Sequence, residues 1–235
     1  MTEMEYRGIT AKGFLLLAEN RFRNSQAFYE EHKAHLKQLA VEPMRQIAQA
    51  LCGDMAALDD RMVLQPSRMV SRLRRDTRFT NDKALYRSNM WCMFRHPRDE
   101  TAPSPCFWFE VVPEEGNWSC GIFVMNNAPR FMAFLRQRIG EERVAFLHAA
   151  EAARALGAHL EIDAFKKERV PEADPQLKPF LNAKSFHFMF SSNDLSVLGD
   201  ARIIALLRAQ YQAYAPLYRL LLDWTQAFSA GELNE

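Results

Sequence analysis

Apolar residues along the chain follow two periods, and the places where the period changes mark the elements. Phe14 to Ala18, followed by Phe22, predicts a short helix from about Thr10 to Arg21. Asn24 or Ser25 then offers an N-cap for a second helix. That helix carries Phe28, Leu36, Leu39 and Ala40 on its apolar face, with Glu30, Glu31, Lys33 and Lys37 exposed. Pro43 has no amide proton to donate, so it suits the first turn of a third helix, Glu42 to Cys52, closed at Gly53.

From Arg68 the period falls to two. Met69, Ser71 and Leu73 alternate with Val70, Arg72 and Arg74, the pattern of a strand. Ser88 to His96 and Cys106 to Val112 are further strands, and Gly116-Asn117 marks a turn. Trp118 to Met125 follows, with Trp118, Cys120, Ile122 and Val124 on one face. The link Pro113 to Gly116 is short enough for a hairpin, so these last two strands are expected to be antiparallel neighbours.

Helical spacing returns over Ala128 to Ile139 and Glu141 to Leu156, with Gly157 as a C-cap. A short strand, His159 to Ile162, precedes a proline-punctuated stretch from Val170 to Pro179. Phe186, Phe188 and Phe190 alternate with Ser185, His187 and Met189 as another strand. Ser192 or Asn193 caps a last helical region, Leu195 to Phe228, expected to break near Pro216. Helices at both ends around a central, mostly antiparallel sheet spell an α+β fold. With no repeat, low-complexity run or linker, residues 1–235 are expected to form a single α+β domain.

Composition adds little to this picture. At 235 residues the chain can bury a core without metal or disulfide. Seventeen Phe against six Tyr and four Trp point to a core rich in aromatic rings. No apolar run reaches the length of a membrane span, and the N-terminus lacks the apolar region of a signal peptide. A cytoplasmic, reducing compartment is therefore expected. There Cys52, Cys92, Cys106 and Cys120, none in a C-x-x-C pair, are free thiols filling apolar space.

Charge changes the picture more. The net charge is only +1, which argues against a protein that coats polyanions. Yet the twenty residues from Arg68 to Arg87 hold seven basic side chains and only two acidic ones, Asp76 and Asp82. The stretch carries +5 and the remainder −4.

Within that stretch, Arg74-Arg75-Asp76-Thr77-Arg78-Phe79 and Asp82-Lys83-x-x-Tyr86 resemble the R-D-T-R-F-x-x-D-K-x-P-Y-K signature of the domain of unknown function 2461 family. Gly13-Phe14 and Phe28-Tyr29-Glu30-Glu31-His32-Lys33 are similar to its early G-F and W-F-x-x-H-K elements. Arg130 to Ile139 looks like the family's helix after the sheet. Phe165-Lys166-Lys167 and Leu181-x-x-Lys184-Ser185-Phe186 resemble its later segments. The resemblance spans nearly the whole chain and implies an α+β fold of microbial type, without an activity. The chain departs from the pattern at Ala84-Leu85, which replaces Ser/Thr-Pro, at Arg87 for Lys, and at Phe28 for Trp.

Arginine presents a planar set of donors matched to phosphate or carboxylate. If residues 69–74 form a strand, Arg72 and Arg74 share one face and Arg75 takes the other. Arg72, Arg74, Arg78, Lys83 and Arg87, with Tyr86 as a hydroxyl donor, are thus candidate ligand-binding residues for a small anion. Were the protein an enzyme, Asp76 would be the acid/base and Arg74, Arg78 and Lys83 its electrostatic stabilisers. A structural alternative uses the same residues as a lattice of ion pairs, Asp76 and Asp82 with Arg78 and Lys83, that fixes a long turn. A third reading is a nucleic-acid or protein interaction module, for which only Phe79 and Tyr86 interleave as rings. No H-E-x-x-H, G-x-S-x-G, Walker or G-x-G-x-x-G motif occurs, so no cofactor or metal is expected. His32 and His35 read as solvated helix residues, His187 as a sheet histidine and Glu114-Glu115 as a solvated turn.

Overall fold

In a computed structural model, residues 6–78, 80–97 and 102–232 are described. Phe79 of the central motif lies outside them. The elements run α1 (Ala11–Arg23), α2 (Gln26–Leu36), a π-helical turn (Lys37–Val41), α3 (Glu42–Leu58), α4 (Pro66–Met69), β1 (Met90–Phe94), β2 (Ser104–Val112) and β3 (Asn117–Met125). They continue with α5 (Pro129–Glu141), α6 (Arg143–Arg154), β4 (His159–Ala164), α7 (Lys178–Leu181), β5 (Ala183–Ser192), a 3-10 turn (Leu195–Gly199) and α8 (Arg202–Glu232). Five antiparallel strands in the order β1-β2-β3-β5-β4, with helices at both ends, make an α+β fold.

The chain divides into two compact units: residues 1–94, 108–119 and 191–208 form one, and residues 95–107, 120–190 and 209–235 the other. In the first unit, Thr10 caps α1 by accepting from the Gly13 amide, and Ser25 caps α2 by accepting from the Phe28 amide. Asn24 ends α1 in the left-handed region, φ 45°. Phe22, expected on the apolar face, is 87% exposed, because the buried stripe runs through Gly13, Phe14, Leu17 and Asn20 instead. A β-carbon on Gly13 would fall 2.4 Å from the Leu39 carbonyl oxygen, so only glycine lets α1 lie this close to the π-helical turn.

Two boundaries differ from the pattern-based expectation. Helix α3 runs on through Gly53 to Leu58, because Met55, one turn beyond Leu51 and Cys52, is buried with them. Burying a methionine stabilises by about 1.5–3 kcal/mol, more than the roughly 1 kcal/mol that glycine costs a helix interior. Residues 69–74 do not form a ladder strand either. Pro66–Met69 is a helical turn, and the extended segment after it makes only isolated bridges, Val70 to Cys92 and Arg74 to Tyr86.

The second unit holds much of the aromatic core. Phe107 packs against Tyr211 and Tyr218, with ring centroids 5.0 and 4.9 Å apart. Phe146 meets Phe180 edge-on at 4.7 Å, and the buried Trp224 donates its indole N–H to Glu142 at 3.0 Å. Strand β4 pairs antiparallel with β5 in the register Leu160 to Phe188 and Ile162 to Phe186, with an irregularity at Asp163/Ala164. Gly157, at φ +84°, turns the chain from α6 into β4.

Helix α8 is not broken at Pro216, which sits within Arg202–Glu232. The proline costs about 3 kcal/mol in a helix interior. Tyr214, Leu217, Tyr218 and Leu221 around it are all buried, and their burial offsets that cost. The break falls earlier, between the 3-10 turn and Arg202, and Asp194 rather than Ser192 or Asn193 caps that turn. All four cysteines are buried free thiols. Among the described residues no helix is long and apolar enough to cross a membrane.

Candidate functional site

The basic stretch folds back on itself. The Ser71 amide donates to the Trp91 carbonyl at 2.8 Å, the Arg87 amide to Leu73 at 2.9 Å and the Arg75 amide to Leu85 at 2.8 Å. Side chains along the first arm alternate as the sequence suggests: Ser71 and Leu73 are buried, Arg72 and Arg74 exposed. Arg75, on the inward side, keeps only 19% of its side chain exposed. The arms therefore sort the arginines into two populations, one in solvent and one turned toward the protein.

Four side chains shape the tip of this loop. Asp76 holds Arg78 in a bidentate pair, Nε to Oδ1 at 2.9 Å and Nη2 to Oδ2 at 2.6 Å. These hydrogen bonds hold the Asp76 carboxyl down at about 2. Lys83 donates to the Thr77 carbonyl at 3.0 Å, closing the loop across its base. Asp82 accepts from the Ala84 amide at 2.9 Å, and the Leu85 amide donates to the side chain of Asn24 at 2.6 Å.

Asp82 is the residue that ties the loop to the helices. Its carboxylate receives Arg75 and, at 3.4 Å, Arg21 from the last turn of α1. Hydrogen bonds from Ala84 and Arg75 hold its pKa below the usual carboxylate range. Arg21 also donates to the Tyr86 carbonyl at 3.2 Å. Arg21, Arg75, Asp82, Arg87, Ser88 and Asn89 together line a cleft of about 220 Å³. Three guanidinium groups and one carboxylate leave it net positive. Asn89 in turn donates to Glu110 of β2, whose pKa is raised by burial.

Of the candidate ligand-binding residues expected from the sequence, Arg87 lines this cleft and the others do not. Its Nε donates to the Arg72 carbonyl at 3.1 Å, and its guanidinium lies 5.8 Å from the Trp91 ring centroid. Arg72 and Arg74 project into solvent. Arg78 is engaged by Asp76, Lys83 by a backbone carbonyl, and neither lines the cleft. Tyr86 is 1% exposed and stacks on Tyr29 with centroids 4.9 Å apart, which joins the central motif to the early Phe28-Tyr29 element. Asp76, held ionised in a solvent-exposed pair, does not line the cleft either.

The residues that sequence reasoning passed over are Arg21, Arg75, Ser88 and Asn89. Arg75 was legible as the one arginine on the inward face, but Arg21 had no local signal. The lattice expected of the two aspartates is present with altered partners: Asp76 takes Arg78, whereas Asp82 takes Arg75 and Arg21 rather than Lys83. His32 is not simply solvated. Its Nδ1 lies 3.0 Å from the Phe28 carbonyl and its ring stacks on Phe28 at 4.1 Å. His187 is half-buried with a pKa lowered by burial. Among the described residues, no group of three or more His, Cys, Asp or Glu is placed to hold a metal.

Neither a curated protein nor a solved structure matches the chain. A family model described as conserved hypothetical protein (DUF2461) matches residues 12–220, from the start of α1 into α8. The match takes in the arginine-rich loop, the helix that supplies Arg21 and the strands between, and the chain belongs to the DUF2461 family.

Proposed function

We propose that the cleft between Arg21, Arg75 and Arg87 binds a small anion bearing a phosphate or carboxylate group. The observation that carries this is Asp82: two guanidinium groups from distant parts of the chain already converge on one carboxylate. A third guanidinium and two neutral hydrogen-bonding side chains, Ser88 and Asn89, line the same space. Arginine pairs recognise carboxylate and phosphate by the same planar geometry. The cleft holds about 220 Å³ and its lining is mostly polar, which suits an inorganic oxyanion or a short carboxylic acid.

Asp82 then acts as an internal competitor that holds the arginines in place until the ligand displaces it. Asp76 has no part in this reading. The test is calorimetric titration with inorganic phosphate and with succinate, on the wild type, Arg87→Ala and Arg74→Ala. Losing one charge-assisted contact should weaken binding roughly tenfold in Arg87→Ala. Arg74→Ala, whose side chain is solvent-exposed, should bind as the wild type does. Equal losses in both variants would count against a defined cleft. A steep salt dependence with single-stranded oligonucleotides would replace it with a broad basic surface that includes Arg72 and Arg74.

A further inference from the structure

A second pair of arginines, in the other compact unit, is assembled around one phenylalanine ring. The Arg169 guanidinium carbon lies 3.8 Å from the Phe165 ring centroid, and that of Arg136, from α5, lies 5.4 Å from the same centroid. Each arginine is anchored without a carboxylate. Arg136 donates to the Ala183 carbonyl at 2.8 Å, and among the described residues neither guanidinium has an acidic partner. The nearby acids are engaged by other cations, Glu168 by Lys178 at 3.0 Å and Asp163 by Lys184 at 3.0 Å. Lys166 and Lys167, next to Phe165 in the chain, are exposed and have no carboxylate partner among the described residues.

The frame beneath these charges is rigid. Asn182, only 7% exposed, accepts at Oδ1 from the amides of Arg169 at 2.6 Å and Val170 at 2.9 Å. Its Nδ2 donates to the carbonyls of Val170 at 3.2 Å and Lys178 at 3.0 Å. The Phe165 amide donates to the Asn182 carbonyl at 3.1 Å. Residues 165–170 are thus bound to the start of β5 at both ends, and the next residue, Ala183, supplies the anchor for Arg136. Two like charges held near one ring repel each other, and burial together with Arg169 lowers the pKa of Arg136. Asn182 therefore fixes the backbone that carries Phe165 and Arg169, and the Ala183 carbonyl fixes Arg136, so both charges are placed before any ligand arrives.

We infer that Arg136 and Arg169, braced on Phe165, form a binding site for a dianionic phosphate group, independent of the Arg21–Arg75–Arg87 cleft. Arg169 covers Phe165 at stacking distance, so the ring braces a guanidinium instead of offering a platform for a nucleobase. Two guanidinium groups near one ring, neither neutralised by a carboxylate among the described residues, suit a dianion better than a monocarboxylate.

The experiment is a titration of the full chain with inorganic phosphate, followed through backbone amide resonances, on the wild type, Arg169→Gln and Arg87→Ala. In the wild type the amides of Arg169, Val170 and Phe165 should shift saturably. Arg169→Gln should weaken that response roughly tenfold while leaving the shifts of Ser88 and Asn89 unaltered. Arg87→Ala should do the reverse, so failure at one site is read separately from failure at the other. Acetate should bind at residues 165–170 more weakly than phosphate. The inference is overturned if phosphate leaves these amides unmoved, if Arg169→Gln binds it as tightly as the wild type, or if acetate binds equally well. Arg169 is exposed, so the glutamine variant should melt with the wild type, and a large drop in melting temperature would assign the pair to stability instead.

Discussion

Arg21 donates a hydrogen bond from α1 to the backbone carbonyl of Tyr86 at 3.2 Å, across 65 residues of sequence. Its other Nη reaches Asp82 at 3.4 Å, so one side chain fastens both the end and the tip of the arginine-rich loop. Arg21→Ala should lower stability by about 1 kcal/mol, the value of a charge-assisted hydrogen bond discounted for partial exposure. In a chain of this size that is a fall of about 2–4 °C in melting temperature. Thermal denaturation followed by circular dichroism checks it. An unchanged melting temperature would show that the loop is held without Arg21.

Asp82→Asn separates ligand binding from architecture by sign. Asparagine still accepts from the Ala84 amide through Oδ1, a contact of 2.9 Å, but no longer neutralises Arg75 and Arg21. If the cleft takes anions, removing this like charge should tighten phosphate binding about fivefold, equivalent to roughly 1 kcal/mol. A pure ion-pair lattice predicts a loss of stability with no gain in affinity. Calorimetry and melting on the same sample read both.

Asp76 contributes to stability in a definite pH window. Its carboxyl is lowered from the usual 3.8 to about 2 by Arg78, so the folded state holds the proton less tightly than the unfolded chain. The contribution is complete above the unfolded value and is lost as pH falls through the folded one. Asp76→Asn should therefore flatten the decline of stability between about pH 4 and pH 2, lowering the plateau above that window slightly and converging with the wild type below it. The pair is solvent-exposed, so the effect is small. Urea titrations across that range, on both proteins, measure it.

Gly13→Ala should destabilise although alanine is the better helix former. At an open helical position the exchange gains about 1 kcal/mol. Here the new β-carbon would lie 2.4 Å from the Leu39 carbonyl oxygen, and the backbone must move. The expected net loss is about 2 kcal/mol, a fall of roughly 4–8 °C in melting temperature. Gly53→Ala, where a β-carbon meets nothing within 4 Å, is the control and should raise it.

Much of the fold was legible locally. The hairpin Cys106 to Met125 followed from alternation plus a Pro113–Gly116 turn, and it is β2 and β3 with Gly116 at φ +63°. Of the two caps offered for the second helix, Asn24 or Ser25, it is Ser25 that acts, a choice confined to short-range chemistry since a cap acts within three residues. Two of the errors share one cause. Pro216 and Gly53 break helices by local propensity, yet both lie inside helices whose buried faces outweigh that propensity. Residues 69–74 have the period of a strand but only isolated bridges to their neighbours, and period alone does not supply a partner.

The sequence by itself determined the α+β class, the concentration of arginine between Arg68 and Arg87, and membership of the DUF2461 family, because these lie in composition, periodicity and the order of residues along the chain. Only the tertiary structure decided which arginines share a space. Alternation sets Arg75 apart from Arg72 and Arg74, but only backbone pairing shows that its side is the one turned toward the protein, with Arg78 left to Asp76. Arg21 stands 61 residues from Asp82, and Arg136 stands far in sequence from Arg169. No short-range rule links such residues, because guanidinium recognition depends on distances of a few ångströms in space, which chain folding sets and sequence separation does not.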